Sequence, residues 1–248
     1  MGGWKMLEVV LAAIMVVGFP LMDLVRMSRL KKNSTHAARM CLYRLVVFAE
    51  WGAVVLVLLL GWLQFRGARP FFQPGADLVA ALPHLAESKP AVFLPVIIGV
   101  MIGLLIPVIA AWIHPAMRSR INSTLQPLAF LLPQGADERR MFVAVALTAG
   151  ICEEVLYRGF LLHVCTVSAG MRAPVAISLS VIAFGVAHLY QGWKGALGAT
   201  VLGALLMAGY LVTGSLLPGI VIHALIDLRP LLMLPREGSP FEQPGLSY

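Results

Sequence analysis

Charged and turn-forming residues divide this chain into apolar runs of about 20 residues, the length that winds into a helix as long as a bilayer's hydrocarbon core is thick. The runs fall at roughly 6–25, 41–63, 91–113, 141–164, 173–190, 194–213 and 215–234. They predict an all-α polytopic membrane protein with about seven transmembrane helices, six to eight being compatible with the pattern. Composition agrees. Only 12% of residues are charged and mean hydropathy is +0.86, whereas soluble domains carry about a quarter of their residues as charges. The stretch 125–132, apolar but interrupted by Pro127, reads as an interfacial segment.

The net charge of +7 does not imply a nucleic-acid partner, because the basic residues stand in loops beside apolar runs. Arg26, Arg29, Lys31, Lys32 and Arg39 crowd the first connection, and Arg118, Arg120, Arg139 and Arg140 the third. Lys194 and Arg236 fall on the same side. Lys5, Arg66, Arg69, Lys89 and Arg172 mark the opposite one. The positive-inside rule then predicts an outer N-terminus and a cytoplasmic C-terminus, in what reads as a prokaryotic inner membrane. The first run lacks a small-x-small cleavage pattern and reads as a retained span. Cys41, Cys152 and Cys165 show no metal or CxxC spacing and read as small buried hydrophobes. Three regions emerge: anchoring helices over 1–135, a chemistry-bearing membrane domain over 136–235, and a disordered tail over 236–248.

The chemistry lies in three spans. The fourth contains Glu153, Glu154 and Arg158, and each such charge costs roughly 2.5–3.5 kcal/mol at the bilayer centre on insertion scales. Glu154 and Arg158, at i and i+4, share a helix face and can pair, while Glu153 is turned about 100° away and is free for another task. A poorly solvated carboxylate of this kind suits general-base work on a water. The fifth span carries Phe184 and His188, again at i and i+4, so the ring can restrict the imidazole. In the seventh, Asp227 stands one turn beyond His223 and can orient it. Any one pattern alone could be a helix-packing contact; three on neighbouring helices point to a site. Glu50 lies in the second span and reads as a snorkelling partner for Arg44. Gly195, Gly198, Ala199, Gly203, Ala204 and Ala208 line the sixth span as a close-packing face. His36, His84, His114 and His163 have no partner at a telling spacing.

These motifs, Glu153-Glu154-x-x-x-Arg158, Phe184-x-x-x-His188 and His223-x-x-x-Asp227, resemble in kind and order those of the CPBP family, the CAAX proteases and bacteriocin-processing enzymes also called Abi. The resemblance covers 140–235. It implies a conserved core of about four helices and an intramembrane endopeptidase acting on a peptide or membrane-protein substrate. By that analogy Glu153 and His188 activate the attacking water, His223 and Asp227 stabilise the oxyanion or orient the substrate, and Glu154, Arg158 and Phe184 support them. An aspartate in the last position donates to an oxyanion only when protonated. The family is often described as metalloproteases, and His188, His223 and Glu153 would be the zinc ligands if there were any. A Glu–His activated water needs no metal, and tightly bound zinc is not expected. Competing readings are a non-catalytic immunity or binding protein of the same fold, and a proton-coupled transporter, since intramembrane acids also mark ion pathways. Oligomeric state and substrate identity are not encoded in these patterns.

Overall fold

The computed structural model describes residues 3–65, 74–75, 78 and 90–233. Among these there is no strand. The helices are α1 (Gly3–Lys32), α2 (His36–Phe65), α3 (Pro90–Ile113), α4 (Pro115–Leu125), α5 (Ala136–Glu153), α6 (Ala173–Ala187), α7 (Trp193–Thr213) and α8 (Leu217–Met233). Every apolar run of the sequence has its helix, and the protein is an all-α polytopic membrane protein. Pro127 sits in a short 3-10 turn, Gln126–Leu128, between α4 and α5. Most of the 64–90 connection and the tail lie outside the described residues.

Three described helices are long and apolar enough to cross a bilayer by themselves: α1, the 28-residue stretch His36–Leu63 of α2, and α7. Only 22% of the apolar window of α1 and of α2 is buried inside the protein. The remainder, including Val17, Leu21, Phe48, Val55 and Leu59, faces outward, as a surface against lipid tails requires. Trp4, Trp62, Trp112 and Trp193 are exposed near helix ends, where an amphipathic ring suits the membrane–water boundary. Pro20 explains an irregularity in α1. Its ring clashes with the carbonyl four residues back and it has no N–H, and the helix widens over Ile14–Gly18 just before it.

Helix α5 is central, packed mainly between α2 and α8, while α6 pairs with α7. After Glu153 the α5 chain continues with π winding through Glu154–Leu161 and again over Val164–Ser168. Small residues set how closely its neighbours come. A Cβ on Gly150 would lie 2.8 Å from the backbone nitrogen of Ala224, so α8 meets α5 almost backbone to backbone. The core between these helices contains Cys152, Leu156, Phe160, Phe184, Met207 and Tyr210. Cys152 and Cys165 are buried free thiols, but Cys41 is exposed, because its side of α2 turns away from the bundle.

Before α5 enters its apolar run, Glu138 ties it to the start of α2. Its carboxylate accepts from Arg39 Nε (3.0 Å) and Nη2 (2.8 Å) and from the backbone N–H of Gln134 (2.7 Å), and His36 Nδ1 lies 2.7 Å from Oε1. Arg39 also donates to Gln134 Oε1 and the Ser34 carbonyl. His36 therefore has a partner, one distant in sequence. Burial pushes the Glu138 carboxyl up, but the hydrogen bonds from Arg39, Gln134 and His36 outweigh it and hold the group below its ordinary value of 4.5. The stabilisation is then complete above pH 4.5 and is lost as pH falls through the folded-state value. Glu138→Gln should lower stability at pH 7 by about 3 kcal/mol, since it leaves Arg39 buried with a weaker partner. It should also flatten the acid limb of a thermal-unfolding profile in detergent. An unchanged acid limb would assign that loss to other carboxylates.

Candidate active site

The structure brings the three sequence motifs together. Glu153 ends the α-wound part of α5, His188 caps the C-terminus of α6, and His223 lies mid-way along α8. Glu153 Oε2 is 4.0 Å from His188 Nε2 and 3.9 Å from His223 Nε2. Asp227 Oδ2 is 3.6 Å from the same nitrogen of His223. Helix α6 stops at the histidine, where the chain turns into the 3-10 segment Leu189–Gln191, and this frees the imidazole to point back at α5.

Each imidazole is held from its other nitrogen. His188 Nδ1 is 2.8 Å from the Phe184 carbonyl, which can only accept, so Nδ1 carries a proton and Nε2 is the free nitrogen of the neutral ring. His223 Nδ1 is 3.1 Å from Glu154 Oε1 and is likewise the donor. The sequence reading gave the orienting of His223 to Asp227, one turn along the same helix. In the structure Glu154 makes the closer contact, and Asp227 faces the opposite nitrogen at beyond hydrogen-bond distance.

Arg158 and Phe184 complete the support. Arg158, almost fully buried, donates Nη1 to Glu154 Oε1 at 2.9 Å and Nη2 to the Gly203 carbonyl of α7 at 3.1 Å. Its guanidinium lies over the Phe184 ring, 4.2 Å from the centroid. The same ring sits 4.8 Å from the His188 ring and 5.5 Å from that of His223. Gly203 makes this possible, since a Cβ there would lie 3.0 Å from Phe184 and 3.4 Å from Arg158. On α8, a Cβ at Gly219 would come within 2.7 Å of Glu154 Oε2. Thus the small-residue face of α7 contributes one position, Gly203, to the site, whereas Gly198 meets nothing within 4 Å.

Glu153, His188 and Asp227 open onto a cavity of about 340 Å³. Its walls come also from α1 and α2, through Asp23, Arg26 and Glu50, and from Tyr190 and Arg229. Apart from Glu50, and Arg26 as one of the loop charges, the sequence reading did not single these out. Glu50 does not pair with Arg44. It lines the cavity, and its Oε2 is buried without a hydrogen-bond partner. Six residues apart on one helix, the two side chains point in different directions. The signal that could have found Glu50 was the insertion cost already applied to Glu153.

A tetrahedral zinc with ligands at 2.0–2.2 Å would hold its donors about 3.4 Å apart. The spacing of Glu153 Oε2 from the two imidazoles, at 4.0 and 3.9 Å, is wider than that. Among the described residues no group of three or more His, Cys, Asp or Glu side chains is placed to hold a metal ion. The donor set as it stands does not fit zinc.

Compared with known families, residues 136–229 match the family model of the type II CAAX prenyl endopeptidases, Rce1-like. This segment is an Rce1-like domain of the CPBP/CAAX protease family. The match spans less than half of the chain and includes all three motifs. No curated protein and no solved structure matches the chain. Within the Rce1-like domain, the Glu154–Arg158 pair lends itself to a direct test. Arg158→Met should destabilise the protein by about 3–5 kcal/mol, because it strands a buried carboxylate. Combining it with Glu154→Gln should recover a substantial part of that loss, read as the unfolding midpoint in detergent. A loss in the double variant equal to the sum of the two single-variant losses would show that the pair's charges are not coupled.

Proposed function

We propose that this protein is an intramembrane endopeptidase, resembling CAAX prenyl endopeptidases, that hydrolyses a peptide bond with a water activated by Glu153 and His188. The observation that carries this reading is the convergence of one carboxylate oxygen and two imidazole Nε2 atoms, from three helices, within 4.0 Å at the wall of a cavity. The family match supports it at the level of a protease family.

In this proposal a water lies between Glu153 Oε2 and His188 Nε2, both of which accept hydrogen bonds. Glu153 takes its proton as the oxygen attacks the scissile carbonyl. Protonated His223 presents Nε2–H to the oxyanion, with Asp227 beside it to hold the substrate or, when protonated, to donate as well. Glu153 then returns the proton to the leaving amine. Glu154 and Arg158 act through His223: the ion pair keeps a carboxylate fixed at Nδ1 and so holds the ring in register. The chemistry-bearing domain is 136–235, and the cavity walls from α1 and α2 add the substrate-facing surface.

The side of entry follows from which helix ends line the cavity. Arg26, Tyr43, Leu128, Tyr190 and Arg229 belong to the ends of helices and connections that share the face of the α1–α2 loop. The excess of Arg and Lys on that face supports its being the cytoplasmic one, with the N-terminus outside. A peptide or membrane-protein substrate would then reach the site from the cytoplasmic side of the bilayer.

Glu153→Gln and His188→Ala should each lower cleavage by at least about a thousandfold while leaving the unfolding midpoint within a few degrees of wild type. The substrate-independent test compares membrane proteins and released peptides in wild-type and Glu153→Gln cells by terminal-peptide mass spectrometry. Indistinguishable profiles would count decisively against proteolysis.

A further inference from the structure

Glu50 is a carboxyl group that the mechanism does not use. It stands on α2, outside the segment matched by the family model, yet it lines the same cavity as Glu153 and Asp227. Its position is held from the next residue: Trp51 Nε1 donates to Thr148 Oγ1 of α5 at 3.1 Å, five residues before Glu153. Glu50 Oε2 is sealed from solvent and has no hydrogen-bond partner. Glu153, Asp227 and Asp23, all carboxyl side chains, line the same cavity.

Of the arginines that line this cavity, Arg26 Nη1 is 3.4 Å from Asp23, answering that carboxylate, and Arg229 Nε is buried without a hydrogen-bond partner. Arg158 is bound to Glu154 behind Phe184. A buried carboxylate facing three others is strongly unfavourable unless it is neutralised, and a ligand cation can do this. The cavity walls around it are largely apolar, with Met15, Phe19, Ala146 and Ala149 among them. A largely apolar cavity with an unpartnered carboxylate oxygen in its wall suits a side chain with an aliphatic stem and a cationic head, which is lysine or arginine.

We infer that Glu50 is a specificity residue: it forms a subsite for a basic side chain of the peptide substrate, close to the bond that Glu153 and the two histidines act on. The inference rests on the peptidase reading and adds a substrate class to it. The N-terminal helices thereby supply selectivity to a site whose chemistry lies wholly in the Rce1-like domain.

The test uses the full-length protein in detergent or nanodiscs and a positional-scanning set of labelled peptides. In each pair one peptide carries lysine and the other acetyl-lysine, matched in backbone and stem but differing in charge. Wild type should favour the lysine member at one position near the cleaved bond by about tenfold in kcat/KM. Glu50→Gln should bring that ratio close to one, and Glu50→Asp should retain a preference for lysine. Binding of the same pairs to Glu153→Gln protein, by fluorescence anisotropy, reads the subsite without turnover and should show the same ratio. If Glu50→Gln fails to fold, the lysine to acetyl-lysine comparison on wild type still decides: no preference at any position overturns the inference. A preference that survives in folded Glu50→Gln overturns it as well. Cleavage without charge preference would remove the subsite and keep the peptidase. Lysine-selective binding with no cleavage of any peptide would do the reverse.

Discussion

The site depends on one buried oxygen. Glu154 Oε1 receives Arg158 Nη1 at 2.9 Å and faces His223 Nδ1 at 3.1 Å, so a single carboxylate ties α5 to α8 and, through Arg158 and the Gly203 carbonyl, to α7. In a medium without water such a charge is tolerated only when its partners are in place, and the partners must therefore come with it. Phe184 brings α6 into the same assembly by packing against Arg158 and both histidines. Four helices are thus located by one polar contact and one ring.

This arrangement separates support from reactivity within two adjacent residues. Glu154 is fully buried and satisfied on one oxygen, while the side chain of Glu153 keeps 19% of its surface open to the cavity. The change from α to π winding begins between them. Wide turns of this kind recur at functional sites, where they alter the angular spacing of neighbouring side chains. Here one glutamate points into the helix bundle and its neighbour toward the substrate space.

The matched domain and the rest of the chain contribute differently. All three motifs, with both histidines and Arg158, fall within 136–229. The cavity does not: α1 and α2 contribute Asp23, Arg26 and Glu50, and α2 is fastened to α5 at two levels, by the Arg39–Glu138 pair and by the Trp51–Thr148 hydrogen bond. Helices that read from composition as plain anchors therefore shape the space in which a substrate would lie.

The all-α membrane class, the placing of the apolar helices and the pairing of Glu154 with Arg158 were legible in the sequence, because each rests on local periodicity or on the cost of charge in hydrocarbon. So was the prominence of Glu153, His188 and His223, through their motifs. Other features required the folded chain. The sequence paired His223 with Asp227 because the two lie one turn apart; the structure keeps Asp227 3.6 Å from Nε2, and tertiary packing adds Glu154, 69 positions away in sequence, at the other ring nitrogen and closer. It paired Glu50 with Arg44 on one helix, whereas the approach of α2 to α5 turned Glu50 into the cavity. His36, with no neighbour in sequence to suggest a role, met Glu138 across 102 residues. Helical spacing reports which groups can meet along one helix. Which groups do meet across helices is decided by close packing at small residues such as Gly150 and Gly203, whose consequence cannot be seen until the helices are side by side.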